Sequence, residues 1–332
     1  MNTVSLTLQE IGELAAQAFA KNGCDVANTE ALVRTVVTAE RDGSLSHGLF
    51  RVPGYVASLR SGKVNGRASP RVTHKTPAVI QAHGDNGYAP LLIERTVPVL
   101  AEAAQKLGVA VVSATHTYHF AALWPETEAI AAHGLIGLAC VCYTPLVAPA
   151  GGGKPLFGTN PISFAWPRPG RSPMVIDMAT AAKALGEVQV AARDGHEVPL
   201  GTGLDAGGKL TTDPREILKG MLLPFGGHKG SAIALMVELL AAGAVNENFS
   251  FEAAEGDNKD GGPPRGGEFM LAISPELLAG PGWAEHCEKF FARFDAIEGA
   301  RLPGARRHRN RLSDAPRQVN AELVERIRRL SA

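Results

Sequence analysis

The chain has 332 residues, enough for a sizeable hydrophobic core and for two closely joined domains. Its 33 Lys and Arg residues balance its 33 Asp and Glu residues, so no net charge favours nucleic acid or an anionic membrane as a partner. The four cysteines lack the paired Cys/His spacing of a zinc site, which predicts reduced thiols in a cytoplasmic protein. A polar beginning and the absence of a long uninterrupted apolar run predict neither a signal peptide nor a membrane span.

The first 66 residues have the hydrophobic periodicity of helices. Thr7 and Glu10 have the spacing of a capping box, and apolar residues follow at helical intervals. A second helix is predicted over residues 28–40. A third follows Pro53, whose missing N–H costs nothing in a first helical turn. We therefore expect an N-terminal helical segment over residues 1–66.

After this segment, short strands alternate with helices, which predicts an α/β domain with a mixed sheet over residues 67–280. Helical patterns then return in a C-terminal segment, residues 281–332, which we expect to pack with the N-terminal one. The predicted strands are 78–82, 109–112, 135–142, 162–166, 174–176 and 269–273, and the predicted helices are 89–106, 120–133, 181–192, 231–242, 282–297 and 320–330. Residues 84–87 are a predicted turn and residues 257–267 a predicted exposed loop.

A short irregular link between two predicted helices carries a proton carrier and a cation. Gly43 and Gly48 interrupt any regular continuation of the helix before them. His47 can exchange a proton near neutral pH, and the adjacent Ser46 can orient its ring. Arg51 can hold a carboxylate through two parallel hydrogen bonds. The same residues also fit an ordinary surface turn, so this stretch alone leaves both interpretations open.

Two glycine-rich stretches resemble nucleotide-binding loops only in part. Residues 201–206 match the dinucleotide fingerprint in letters, but no strand precedes them closely and no helix follows, which predicts a polar turn. Residues 226–231 lack the spacing of a phosphate-binding Walker loop, yet they open a predicted helix. Backbone N–H groups there, with His228 and Lys229, suit either a phosphate or a plain glycine-rich cap.

Several polar residues lie at strand ends, where ligands often bind. His116 and His119 follow a predicted strand, but no carboxylate lies at the usual ligand spacing, so no metal site is predicted. Thr159 can donate to a substrate oxygen or shape its turn. Asp177 can hold a ribose hydroxyl or cap a helix. Glu187, on a predicted helix, can orient a histidine or remain solvated.

A basic stretch near the C-terminus fits either a solvated loop or an arginine clamp on phosphate. Arg301, Arg306 and Arg307 occur with no Asp or Glu between residues 301 and 311, which favours NADPH over NADH. A nucleic-acid-binding role for this stretch is the alternative. The zero net charge and the lack of interleaved aromatic residues argue against it.

Three motifs in combination resemble the type-2 malate/L-lactate dehydrogenase family over about residues 8–315. They are Ser-His-Gly…Arg-x-Pro-x-Tyr from Ser46, Phe-Gly-Thr-Asn-Pro-Ile from Phe157, and Pro-Phe-Gly-Gly-His-Lys-Gly from Pro224. Within this family, residues 119–124, 186–189 and 301–304 look most like the Δ1-piperideine-2-carboxylate/Δ1-pyrroline-2-carboxylate reductases.

The resemblance implies a mixed, largely antiparallel sheet flanked by helices, distinct from a Rossmann fold, in a homodimer. It also implies NADPH-dependent reduction of a cyclic imine acid to L-pipecolate or L-proline. A 2-oxo-acid reductase of the same family, of malate, lactate or sulfolactate type, is the alternative. The implied catalytic residues are Ser46, His47 and Glu187, and the implied substrate-binding residues are Arg51, Thr159 and Val188.

Position 187 departs from the family pattern, since those reductases carry Asp where this chain has Glu187, an acid one methylene longer. In the implied relay, Ser46 and Glu187 assist His47 as proton donor. The resemblance assigns the NADPH contacts to His119, Phe120, Ala121, Ala122, Leu123, Asp177, Met178, Ala179, His228, Lys229, Arg301, Leu302, Pro303, Gly304, Ala305, Arg306 and Arg307.

Overall fold

The structure is a computed structural model that describes residues 2–331. Two 3-10 turns, Leu45–His47 and Leu49–Arg51, and a π-helical segment, Leu239–Ala244, complement the regular elements. The strands are β1 (Thr3–Leu6), β2 (Arg71–Thr76), β3 (Val79–Tyr88), β4 (Val109–Tyr118), β5 (Ile136–Val141), β6 (Ile162–Trp166), β7 (Met174–Met178), β8 (Gly203–Leu204), β9 (Leu210–Thr211), β10 (Met221–Leu222), β11 (Arg265–Ile273) and β12 (Arg317–Asn320). The α-helices are α1 (Leu8–Lys21), α2 (Val26–Arg41), α3 (Val52–Arg60), α4 (Ala89–Leu107), α5 (Trp124–Ala132), α6 (Leu185–Asp194), α7 (Pro214–Ile217), α8 (His228–Glu238), α9 (Ser250–Glu255), α10 (Pro275–Ala279), α11 (Trp283–Asp295), α12 (Ala305–Asn310) and α13 (Ala321–Ser331).

A seven-stranded sheet forms the centre of the molecule, in the order β2-β3-β4-β11-β5-β6-β7. Only β3 and β4 pair in parallel, because helix α4 crosses over between them, and every other neighbouring pair of this sheet is antiparallel. Strand β11, late in the sequence, enters the middle of the sheet, so Met270 and Ala272 are fully buried. The predicted fold class, a mixed and largely antiparallel sheet flanked by helices, is confirmed.

The two ends of the chain lie side by side. Strand β1 pairs antiparallel with β12, with Thr3 opposite Asn320, and α1 packs against α13. The predicted capping box of α1 is present, since Thr7 Oγ1 accepts from the Glu10 N–H at 3.1 Å and Glu10 Oε2 accepts from the Thr7 N–H at 2.7 Å. The two ends of the chain therefore pack together, and the division into segments 1–66, 67–280 and 281–332 stays a prediction.

Three element predictions are wrong in ways that matter for the site. The turn at residues 84–87 lies within β3, because Asp85 and Asn86 adopt positive φ in an irregular stretch of the pairing with β4. Helix α5 begins at Trp124, and residues 119–123 before it are irregular. Helix α6 begins at Leu185, and Ala184 before it is extended.

Outside these regions each predicted helix and strand has a counterpart in the structure. The elements without a prediction are the strands β1, β2, β8, β9, β10 and β12 and the helices α7, α9, α10 and α12. Helix α4 continues through Pro98. Residues 257–264 form a loop, but Arg265 already belongs to β11. All four cysteines are free thiols. No helix among residues 2–331 has the length and apolar character needed to cross a membrane.

Candidate active site

A cavity of about 450 Å³ opens at one end of the sheet, between the 3-10 turns, the start of α5, the end of β7 and the start of α6. It brings together distant parts of the chain because β7 ends and α5 begins at the same edge of the sheet. Of the sequence-predicted site residues, the following line this cavity: Ser46, His47, Arg51, His119, Phe120, Ala121, Ala122, Leu123, Thr159, Asp177, Met178, Ala179, Glu187, Arg306 and Arg307.

His47 lies in the cavity wall at the end of the first 3-10 turn. Ser46 Oγ lies 2.9 Å from His47 Nδ1, a hydrogen-bond distance. Desolvation, together with the smaller effects of the charges of Arg51 and His119, lowers the pKa of His47 to about 3. The imidazole is therefore neutral at physiological pH, with its orientation set by the neighbouring serine.

The link that carries His47 is held from the core side by a buried carboxyl group. Glu40 Oε1 accepts from the Leu49 N–H at 2.8 Å, and Glu40 is 3% exposed. Gly48 packs so closely on this carboxyl group that a Cβ atom would collide with it. Burial raises the pKa of Glu40 to about 7. Glu40 thus fixes the backbone of the link, and the backbone in turn fixes the position of His47.

Arg51 is 8% exposed and its guanidinium group has no carboxylate partner among residues 2–331. Its Cζ lies 4.4 Å from the centre of the Phe120 ring, and Nη1 donates to Gln189 Oε1 at 3.3 Å. Its Nε is buried without a hydrogen-bond partner. An unpaired cation in this position is costly unless an anion binds beside it. The arrangement therefore suits a substrate carboxylate.

Helix α6 forms the opposite wall. Gly186 lies against Arg51 so closely that an added Cβ atom would lie 2.6 Å from Arg51 Nη2. Glu187 lines the cavity, but its carboxylate pairs with Lys183 Nζ at 3.3 Å, so the expected contact with His47 is not formed. Val188 is fully buried in the core and does not line the cavity, because a helix turns its next residue away from the face that carries Glu187.

Asp177 connects the end of β7 to the segment before α5. Its Oδ2 accepts from the Leu123 N–H at 3.2 Å and from the Trp124 N–H at 3.1 Å. Asp177 therefore caps α5, which precedes it in the sequence, and not the next helix, as one of its two interpretations had it. It lines the cavity as well, so the capping role leaves it beside any ligand bound there.

The basic stretch, residues 301–307, continues into the first turn of α12 and crosses the edge of β7. Pro303 O accepts from the Val175 N–H at 3.3 Å, and Gly304 adopts a φ of 86°, which favours glycine. Arg307 donates from Nη2 to Val175 O at 2.8 Å. Arg306 is exposed at the cavity, with no hydrogen-bond or ion-pair partner among residues 2–331. The residues of this stretch that do not line the cavity are Arg301, Leu302, Pro303, Gly304 and Ala305.

The predicted phosphate site at the start of α8 lies elsewhere. His228 and Lys229 are exposed at this helix start and do not line the cavity, whereas Phe225 before them does. Gly226 and Gly227 both adopt positive φ and turn the chain away from the cavity before the helix begins. In this chain the two residues are therefore separate from the site that holds His47.

Sequence reasoning missed several residues of this cavity. Tyr143 follows the predicted strand 135–142 directly, so the rule that ligands bind at strand ends could have identified it. Burial raises the pKa of Tyr143, which keeps its hydroxyl protonated. The other missed lining residues that carry a polar or aromatic side chain are Ser44, Trp124, Lys183 and Phe225.

A buried acidic cluster lies behind the cavity and was also missed. His119 Nε2 lies 2.7 Å from Glu126 Oε1. Glu268, which is fully buried on β11, places a carboxylate oxygen within 4.8 Å of both. The two glutamates are far apart in sequence, on a helix and on a central strand, so no local spacing indicates that they meet.

Comparisons with known proteins agree with this architecture. Residues 6–328 match the model of the malate/L-lactate dehydrogenase family. The chain is 40% identical to the Δ1-pyrroline-2-carboxylate reductase of Pseudomonas fluorescens, over 98% of both chains. The crystal structure of Δ1-piperideine-2-carboxylate reductase from Pseudomonas syringae pvar. tomato has a TM-score of 0.92 at 40% identity, covering 99% of this chain and 100% of that one. Sulfolactate dehydrogenase from Methanocaldococcus jannaschii has a TM-score of 0.88 at 26% identity, over 98% and 96%. The chain therefore belongs to the malate/L-lactate dehydrogenase family of pyridine-nucleotide-dependent oxidoreductases.

Proposed function

We propose that this protein reduces cyclic imine acids with NADPH, converting Δ1-piperideine-2-carboxylate to L-pipecolate and Δ1-pyrroline-2-carboxylate to L-proline. The observation that carries the proposal is the pair formed by Arg51 and His47 in one cavity. A buried cation without a carboxylate partner stands there beside a neutral proton carrier. The names of relatives about 40% identical over nearly the whole chain support the same substrates.

Substrate binding follows from the shape of the guanidinium group. A planar fork of N–H donors matches a carboxylate with two parallel hydrogen bonds. The Phe120 ring covers one face of Arg51, so the edge of the guanidinium group is the part left to receive the substrate. Thr159 lines the same cavity and can donate to a second oxygen of the acid.

The cavity also fits the proposed cofactor. Arg306, exposed at the rim without a partner among residues 2–331, suits the 2′-phosphate that distinguishes NADPH from NADH. The irregular stretch from His119 to Leu123, with Met178 and Ala179, forms a wall against which a nicotinamide and its ribose can lie. When bound, the reduced nicotinamide supplies the hydride.

The proton comes from the protein. Hydride addition to a C=N carbon leaves a nitrogen that needs a proton, and His47 is the proton carrier next to Arg51. Burial is the main cause of the low pKa of His47, and the charge of Arg51 adds to it. A carboxylate on Arg51 neutralises that added charge, so substrate binding shifts the imidazole towards protonation. Ser46 holds the ring in place. The proposed relay role of Glu187 requires its carboxylate to leave Lys183 and turn to His47.

We further propose that the protein acts as a cytoplasmic homodimer in proline metabolism and lysine degradation, as the resemblance to its family implies. The His228–Lys229 helix start is exposed on the single chain, and we propose that it contacts NADPH in the assembled protein.

A steady-state panel tests the proposed reaction. The two cyclic imine acids, pyruvate and oxaloacetate are each offered with NADPH and with NADH, and loss of reduced-nicotinamide absorbance is recorded. We expect the highest kcat/KM with a cyclic imine acid and NADPH. Higher values with pyruvate or oxaloacetate would instead make the protein a 2-oxo-acid reductase of the same family.

A further inference from the structure

The acidic cluster behind the cavity consists of His119, Glu126 and Glu268. Glu126 is 6% exposed and Glu268 is fully buried. Both carboxylate oxygens of Glu268 and Oε2 of Glu126 lack a hydrogen-bond partner among residues 2–331. Glu126 Oε1 is bonded to His119 Nε2, and His119 lines the cavity. Two buried carboxyl groups with unsatisfied oxygens therefore meet directly behind a residue of the proposed cofactor wall.

Two ionised carboxylates cannot remain together in these surroundings without compensation. The other titratable groups that face them are Asp177 and Cys140, neither of which brings a positive charge, and Arg307 faces Asp177 from the far side. Burial raises the pKa of both carboxyl groups, and the charge of Glu126 raises the pKa of Glu268 further. The cluster must take up either a proton or a metal ion.

The geometry favours the proton. Two ligands of one zinc ion in tetrahedral arrangement, each roughly 2.1 Å from the metal, lie roughly 3.4 Å apart. The distance between His119 Nε2 and Glu126 Oε1 is 2.7 Å, which is a hydrogen-bond distance. A proton on Glu268 that is donated to Glu126 would satisfy oxygens on both side chains.

We propose that Glu268 carries a proton at neutral pH and donates it to Glu126, and that this carboxyl–carboxylate pair positions His119 at the cavity wall. Glu126, as the ionised member, accepts a hydrogen bond from His119 Nε2–H, which leaves Nδ1 unprotonated. Glu126 and Glu268 are positioning residues, since they act through His119. The link to cofactor binding rests on the proposed function, whereas the shared proton does not.

Infrared difference spectroscopy tests the proton directly. At about pH 7 the wild-type protein should show a carboxylic acid C=O band that is absent from Glu268→Gln, whose amide can donate the same hydrogen bond to Glu126. Glu40→Gln is the matched control, because Glu40 is another buried carboxyl group with a raised pKa. It should lose its own band and keep that of Glu268. Retention of the full wild-type signal in Glu268→Gln would overturn the proposal, as would stoichiometric zinc or manganese in the purified protein.

The positioning role has a separate readout. When the pH is raised from neutrality past the elevated pKa of Glu268, the pair loses its proton and the hydrogen bond between its members, so the dissociation constant for NADPH should rise about threefold or more in the wild type. Glu268→Gln should show no such rise over the same range, because its amide keeps donating. Equal pH profiles for both proteins would overturn the positioning role. If Glu268→Gln fails to fold, Glu126→Gln serves in both measurements and should lose the wild-type pH profile. If the wild-type protein shows the infrared band but does not reduce cyclic imine acids, the proposed function is refuted and the shared proton is not.

Discussion

The guanidinium Cζ of Arg51 lies 4.4 Å from the centre of the Phe120 ring, and these two residues come from separate parts of the chain, one from the link before α3 and the other from the segment before α5. The aromatic face offsets part of the cost of burying the cation. No carboxylate among residues 2–331 pairs with the N–H edge of Arg51, which the ring leaves uncovered. The proposed substrate carboxylate is the group that this edge would receive.

Replacement of Arg51 by lysine should raise the KM for the imine acid by roughly ten- to a hundredfold, since a charge-assisted hydrogen bond contributes about 1.5–3 kcal/mol. Lysine keeps the charge but loses the planar pair of donors. Steady-state kinetics with saturating NADPH measures the effect. Arg193→Lys is the control, because Arg193 pairs with Asp194 and does not line the cavity. An unchanged KM in Arg51→Lys would mean that the carboxylate binds elsewhere.

The substitution Gly186→Ala should displace the Arg51 side chain while its guanidinium group stays chemically unchanged. The added Cβ of Gly186→Ala would lie 2.6 Å from Arg51 Nη2 and 3.0 Å from Ser46 Cβ, so both side chains must shift. We expect the KM for the imine acid to rise about tenfold, as a misplaced clamp predicts. Gly153→Ala, with nothing within 4 Å of its added Cβ, should behave as wild type. Identical kinetics of the two variants would show that the contact is not needed.

His47→Ala should reduce kcat about a hundred- to ten-thousandfold, the range typical of a lost acid–base group. The dissociation constant for NADPH should change by less than about twofold, because the proton is needed only in the chemical step. Stopped-flow turnover and fluorescence titration separate the two quantities. Near-normal turnover would remove His47 from the mechanism.

The stability of the protein should depend on pH through His47. Its pKa in the folded state is about 3, against an ordinary value of 6.5, so between these values the unfolded chain binds a proton that the folded chain does not. The contribution to the free energy of unfolding is therefore complete above pH 6.5 and is lost as pH falls. Between about pH 7 and pH 4.5, the Tm of the wild type should fall about 2–4 °C further than that of His47→Asn. The control His74→Asn, at an exposed histidine, should fall with the wild type.

Arg306→Ser should raise the KM for NADPH about fivefold or more and change that for NADH less than about twofold, since only NADPH carries the 2′-phosphate. Arg309→Ser removes an exposed arginine of the same helix that does not line the cavity, and both constants should stay at wild-type values. Arg307 is a poorer test, because its bond to Val175 O also holds the edge of β7. Equal losses with both cofactors in Arg306→Ser would assign this turn a structural role.

The parts of the site that could be predicted from sequence are the local ones. Ser46, His47 and Arg51 lie within six residues of one another, so an interrupted helix pattern sufficed to place them together. Glu126 and Glu268 meet only because β11 inserts into the middle of the sheet, which no local pattern encodes. Val188 shows a second limit. On α6, Glu187 lines the cavity and the next residue, Val188, is buried in the core, so an error of one position changes the assignment.

Strands were predicted where apolar residues dominate and missed where they do not. Most of β2 is exposed, and β1 and β12 form a short two-stranded sheet with few buried residues. Such edge strands lack the hydrophobic alternation on which the prediction depends. The other six strands of the seven-stranded sheet carry more buried apolar residues, and each of them overlaps a predicted strand.

The hydrogen bond that the Leu49 N–H donates to Glu40 makes one wall of the cavity less tolerant of substitutions than the other. Any substitution that moves the His47 link must first break a buried hydrogen bond and a close backbone contact at Gly48. The opposite wall, residues 181–187, is tied by an exposed Lys183–Glu187 pair that costs little to replace. Substitutions that adapt the protein to a larger ring or an open-chain imine would therefore accumulate on that wall. Libraries of variants designed to form new amine products should target the same residues.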